Sequence, residues 1–233
     1  TVQFSSTTGN QVLSGSGAFV QNNALSLAST GLLTFNQSNQ YVVNRLNFFR
    51  GSVANTDKIT VGLGGASSPV IQRGGIAASP APVFDNLPTF NIGTGGLALV
   101  YATASGPTTT GPEIPATRSV ASFAALNPLG VTLSGGTLST VALVLNAANP
   151  GILTTSAANL LTVTGTITGA TATSYVNGPM EWVLPSGLTG TTNYLLPVGK
   201  TTYNPIELVA PQTSGGTVTV KAEVFEANSN GTA

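Results

Sequence analysis

The chain has 233 residues, of which 41% are apolar and only 6% charged, against roughly 25% charged in an ordinary soluble domain. Its seven basic and seven acidic residues cancel, so no cationic surface is on offer to displace counterions from nucleic acid or to sit on an anionic membrane. Cysteine and histidine are both absent, which excludes disulfides, thiolate metal sites and the imidazole-dependent forms of nucleophilic catalysis.

Strand signals begin at once with Thr1-Val2-Gln3-Phe4. A first series of short apolar runs follows: Gly31-Leu32-Leu33-Thr34-Phe35, Leu46-Asn47-Phe48, Gly51-Ser52-Val53 and Ile59-Thr60-Val61-Gly62. Small polar corners separate them at intervals of about 8–12 residues, which fits a β-sandwich or the short sides of a β-solenoid coil. Residues 67–115 break this rhythm with many Gly and Pro residues and read as a long excursion or as irregular coils covering one side. The longest apolar run, Gly96–Ala102, is strand-sized and far short of the roughly 18–20 residues of a membrane span. Val120–Ala125 is the best short helix candidate.

The first series then recurs in the same order, offset by about 100 residues, as Gly130-Val131-Thr132-Leu133, Leu143-Val144-Leu145, Gly151-Ile152-Leu153 and Leu161-Thr162-Val163-Thr164-Gly165. From Leu161 to Thr168 the threonines alternate with Val163 and Ile167, so one face can be buried at the strand period of two. After about Tyr175 the runs lengthen. Met180–Leu184, Thr192–Leu196, Pro205–Val209 and Thr217–Phe225 are joined by Pro-Ser-Gly, Val-Gly-Lys and Thr-Ser-Gly-Gly turns, the pattern of antiparallel hairpins. The predicted fold is therefore all-β. A parallel β-solenoid (β-helix) occupies residues 1–175, with the excursion at about 67–115. A short antiparallel, β-sandwich-like segment over 176–233 is either truncated or continues into a further domain. With no signal peptide at its start and no terminal domain at Asn230-Gly231-Thr232-Ala233, the chain reads as part of a longer polypeptide.

The segments Gly130–Leu133, Pro150–Thr155, Ala172–Pro179, Leu196–Lys200, Tyr203-Asn204-Pro205 and Val218–Phe225 together resemble the large repetitive, adhesin-like cell-surface proteins of Bacteroidetes. The similarity covers most of residues 120–233 and loosely the first half. It implies a solenoid leading into a sandwich-like segment on the outer surface of a bacterial cell, and it brings no catalytic residues with it. The expected function is thus a secreted, non-catalytic structural or adhesin-like module. Its expected partners are other domains of the same surface protein, or identical subunits joined into a filament by strand addition.

Two alternatives rest on particular residues. An ice- or carbohydrate-binding module would use the threonines of 162–168, or Trp182 with Tyr41, Tyr101, Tyr175, Tyr194 and Tyr203; the alternation of Trp182 with Met180 and Leu184 favours a core position instead. A polysaccharide-active solenoid enzyme would pair Asp57 with Asp85, about one coil apart, near Arg45, Arg50, Arg73 or Arg118. Asp57 in Asn55-Thr56-Asp57-Lys58 and Asp85 in Asp85-Asn86 read first as turn residues. Glu113, Glu181, Glu207, Glu223 and Glu226 are scattered, without the close oxygen-ligand spacing of a calcium loop. Lys221 beside Glu223 reads as a solvated pair, and Lys200 as a turn residue. No catalytic, cofactor-binding or metal-binding residue is assigned, and no cofactor is expected.

Overall fold

A computed structural model describes residues 2–5, 9–17, 19–37, 41–148 and 150–226. Apart from one 3-10 turn at Thr56–Lys58, its regular elements are all strands. The fold is a parallel β-solenoid of about eight turns with an antiparallel sheet at its C-terminal end.

The longest wall stacks Val2–Phe4, Phe19–Leu27, Tyr41–Phe48, Val70–Arg73, Ala98–Tyr101, Ser119–Ala125, Leu138–Leu145, Leu161–Thr168 and Met180–Leu184 in that order, each parallel to the next. The long strands break their period-two alternation once. Tyr41 and Val43 are buried, Asn44-Arg45 interrupts, and Leu46 and Phe48 are buried again. Ala121-Ser122 interrupts between Val120 and Phe123, and Val141-Ala142 between Thr140 and Leu143. This break divides the wall into two sides. Ile59–Val61 pairs with the first half of Tyr41–Phe48, and Val70–Arg73 with the second. A third side is built from Gln11–Gly15, Leu32–Gln37 and Ser52–Ala54, and later from Thr108–Thr109, Val131–Thr132, Leu153–Thr154, Val176–Asn177 and Val198–Gly199.

The core is a set of vertical ladders. On the second side Leu25, Leu46, Ile71, Leu99, Phe123, Leu143 and Ile167 stack in register, and all but Ile167 are buried. On the third side the ladder is Val131, Leu153, Val176 and Val198. Full burial of one such side chain is worth about 1.5–3 kcal/mol, and each coil depends on its neighbours for it. Coil length is uneven: Leu143 stacks on Phe123, 20 residues earlier, but Leu99 on Ile71, 28 residues earlier. Corners approach closely where the chain closes. Gly169, at φ +76°, lies where a Cβ would collide with the Leu145 carbonyl, so only glycine fits there.

The two sequence series superpose side for side. Leu32–Phe35 and Val131–Leu133 lie on the third side, Leu46–Phe48 and Leu143–Leu145 on the second, and Ile59–Val61 and Leu161–Val163 on the first. Two expectations change, and one alternative is resolved. Val120–Ala125 is not helical but part of the strand Ser119–Ala125, because pairing on both edges and burial of Val120 and Phe123 override the modest helix preference of its alanines. Of the two readings of residues 67–115, the irregular coils are the one observed, since Val70–Arg73, Ala98–Tyr101 and Thr108–Thr109 all sit in the ladders. Parallel stacking also runs past residue 175, through Val176–Asn177, Met180–Leu184 and Val198–Gly199. Antiparallel pairing enters with the Tyr194–Leu196/Ile206–Leu208 hairpin and with Val218–Ala222, which returns along Met180–Leu184. The expected cut at Asn230–Ala233 lies outside the described residues, as does Thr1 of the first predicted strand.

Candidate functional site

A buried polar cluster sits inside a ladder. Arg73 occupies the rung between Phe48 and Tyr101 on the second side. Its side chain is 2% exposed and that of its partner Glu113 is 0%. The Arg73 Nη1 donates to Glu113 Oε1 at 2.6 Å and to the Thr109 carbonyl at 2.8 Å, while Nε donates to the Pro82 carbonyl at 2.7 Å. Glu113 Oε1 also accepts from the Tyr101 hydroxyl at 2.7 Å and from the Gly111 amide at 2.9 Å. The guanidinium lies 5.7 Å from the Tyr101 ring centroid, a further cation–π contact. Burial, reinforced by the Glu113 charge, pushes the Tyr101 pKa well above its ordinary value, so this phenol is a fixed proton donor. A cleft of about 350 Å³ beside the cluster is bordered by Arg73, Pro80, Val83, Pro107 and Gly111. The cluster ties two long connections, 74–88 and 102–118, to the core. A mutually neutralised pair of this kind holds structure together through Glu113 Oε1, while Glu113 Oε2 is buried without a hydrogen-bond partner among the described residues.

Asp57 and Asp85 meet at one turn, with different tasks. Asp85 accepts from the Asn55 amide at 2.7 Å and from the Thr56 amide and hydroxyl at 3.0 and 2.7 Å. Both of its oxygens are therefore occupied in fastening the 74–88 connection to the Thr56–Lys58 turn of the preceding coil. Asp57, half exposed in that turn, pairs with Lys58 at 3.6 Å. The four arginines bond elsewhere. Arg45 donates to Asn47 and Gln72, Arg50 to the Ala28 carbonyl, and Arg118 to the carbonyls of Ser134, Gly136 and Thr137. Among the described residues no group of three acidic side chains is close enough to hold a metal ion.

Asp85 carries a pH signature. Burial pushes its carboxyl up, but the donors on Thr56 and Asn55 outweigh this, and its pKa falls below the ordinary value near 3.8. A lowered folded-state pKa means that the stabilisation is fully present above the unfolded pKa and is lost as pH falls through the folded one. Asp85→Ala should cost about 1 kcal/mol at pH 7, from hydrogen bonds in a largely solvated setting. The difference from the parent should shrink below about pH 4. Urea unfolding at pH 7 and pH 3 measures both, and an equal penalty at the two values would refute the latch.

The remaining candidates divide between core and surface. Trp182 is 8% exposed, donates from Nε1 to the Gly165 carbonyl at 3.1 Å and meets Tyr194 edge-on. Tyr41, Tyr101 and Tyr175 are also buried, and Tyr203 stacks at a tilt on Tyr175. The threonines of 162–168 line the outside of their strand: Thr162 is half-buried and bonds Glu181, and Thr164, Thr166 and Thr168 are exposed. Outward rows one residue wide run across coils, as Thr109, Thr132, Thr154 and Asn177 on the third side and Ser119, Ser139, Thr162 and Glu181 on the first. Lys221 stands opposite Glu181 across the antiparallel pair, and Lys200 is exposed in its turn.

Two groupings escape a linear reading. One is the Arg73–Tyr101–Glu113 cluster. Its signal was the alternation itself, since Ile71 and Leu99 point inward and so must Arg73 and Tyr101, two residues on. The other is Asn127, fully buried at a corner. Its amide donates to Gly106, Thr108 and Gly130 and accepts from the amides of Ala104 and Leu129. The Asn127-Pro128 dipeptide was the available hint. Comparison with protein-family models, with curated protein sequences and with solved structures finds no match to this chain.

Proposed function

We propose that this chain is a non-catalytic, extracellular structural module of a bacterial surface protein, adhesin-like in architecture, which acts as a stiff and nearly uncharged spacer. One observation carries the reading: the unbroken ladder from Leu25 to Ile167, seven coils in register. Nine parallel strands at a spacing of about 4.8 Å give a rod roughly 40 Å long. The buried ion pair reinforces that rod from within, and the Asp85 bonds fasten a connection on its outside. The separate tasks of Asp57 and Asp85, the packed aromatic rings and the one-residue-wide hydroxyl rows favour a spacer over an enzyme or a flat binding platform. The scarcity of charge and the likeness of residues 120–233 to repetitive surface proteins support the location.

Antibodies raised against the folded chain provide the test. They should label intact cells of the source organism, and external protease should remove the label. Labelling that appears only after lysis would sink the reading.

A further inference from the structure

The third side of the solenoid is broken in the middle. Its strands form two separate sheets, one ending at Ser52–Ala54 and the other starting at Thr108–Thr109, while the longest wall runs past this level without a break. Residues 79–86 cross the gap and belong to neither sheet. They are fastened at their ends. The Ser79 carbonyl accepts from the Ser105 amide of the following coil, and Asp85 holds the Asn55 and Thr56 amides of the preceding one. Between these fastenings the two coils part. The cleft of about 350 Å³ opens there, with Pro80, Val83 and Pro107 as apolar walls.

The cleft carries unused hydrogen-bond donors. Arg73 borders it, and its guanidinium bonds one carbonyl from each flanking segment, Pro82 and Thr109. Nε and both protons of Nη1 are committed to Pro82, Thr109 and Glu113, and Nη2 has no partner among the described residues. Nη2 keeps an accessible surface, whereas Glu113 Oε2 is sealed. Thr108 and Thr110 donate their amides to the next coil, so Thr109 between them turns its amide and carbonyl toward the gap. The carbonyl meets Arg73; the amide has no partner among the described residues.

We infer that this cleft is a binding site for one neutral, N-acetylated sugar ring. Unused donors call for an acceptor oxygen. Glu113 already balances the Arg73 charge, so a carboxylate or phosphate would enter beside a buried carboxylate oxygen, and a neutral carbonyl is favoured. An acetamido group supplies that carbonyl together with a methyl for Pro80, Val83 and Pro107. The volume lies at the low end of small-molecule sites and has room for a single ring. A peptide strand fits less well. The Ser79–Ser105 bond closes one end, and Pro80 and Pro82 have no amide with which to pair. This goes beyond the spacer reading. A surface rod can lack the site and a chain located elsewhere can carry it, so cell labelling and sugar binding fail independently.

N-acetylglucosamine, titrated to about 20 mM into the isotope-labelled full chain, should move the NMR signals of the Thr109 amide and the Arg73 Nε–H along one saturable curve, with dissociation at about 0.1–5 mM. Glucose and glucuronic acid should leave both signals in place. Thr109→Pro removes the unused amide at a sheet edge, where proline is tolerated, and Val83→Asp replaces an exposed wall residue. Each should weaken binding at least fivefold and leave the urea midpoint unchanged; if Thr109→Pro lowers the midpoint, Val83→Asp alone decides. Absence of a saturable shift, shifts confined to other residues, an equal response to glucose, or parental affinity in Val83→Asp would each overturn the proposal. So would saturation of the same signals by a proline-rich peptide and not by the sugar.

Discussion

Glu113→Ala should destabilise the protein by about 3–5 kcal/mol, the range for stranding one member of a buried ion pair. The reason is local. Arg73 would keep its place between Phe48 and Tyr101 in the core but lose its counter-charge, and the Tyr101 hydroxyl and Gly111 amide would lose their acceptor. For a chain of this size each kcal/mol lowers the midpoint by about 2–4 °C, so a drop of roughly 10 °C should be seen by calorimetry. Adding Arg73→Met to Glu113→Ala removes the stranded charge and should restore part of the loss. Additive penalties in this double-mutant cycle would mean that the two residues do not act as a pair.

Phe123→Ala is expected to cost about 3–5 kcal/mol. Phe123 is fully buried in the middle of the second-side ladder, between Leu99 and Leu143, and its ring packs against Tyr101 at 5.2 Å. Ile167→Ala, at the half-buried end of the same ladder, should cost clearly less. Hydrogen exchange adds a second reading of the same pair of variants. In a stack whose coils contact mainly their neighbours, Phe123→Ala should lower protection most in Ala98–Tyr101 and Leu138–Leu145. Uniform loss of protection along the whole chain would show that the rod melts as one unit.

Much of the fold could be read from the chain because the solenoid is written in local code. Gly31–Phe35 and Gly130–Leu133 announce the same side of the coil through the same short pattern, and the structure places them there. Residues 67–115 stayed open between an excursion and irregular coils because Gly and Pro mark corners without saying whether a ladder strand lies between them. Val70–Arg73 ends in a charge that a linear reading sends to solvent. Glu113, 40 residues on, is what allows Arg73 to stay inside. The helix candidate at Val120–Ala125 failed for a related reason: six residues of mixed propensity take their conformation from the strands on either side. The boundary near Tyr175 followed a change in strand length, yet Val176–Asn177 and Val198–Gly199 still stack in parallel, since two-residue rungs leave almost no periodic trace. Asp57 and Asp85 were legible as turn residues from their neighbours; that one fastens the other's turn depends on the path of residues 74–88.

The uneven coils carry a consequence for how such a chain can change. A coil that advances 20 residues and one that advances 28 move the rod forward by the same single strand spacing. Reach is thus counted in rungs, and girth in residues. Insertions at the corners can accumulate, alter the outer skin and present new chemistry to the surroundings, while the distance between whatever is attached at the two ends stays the same.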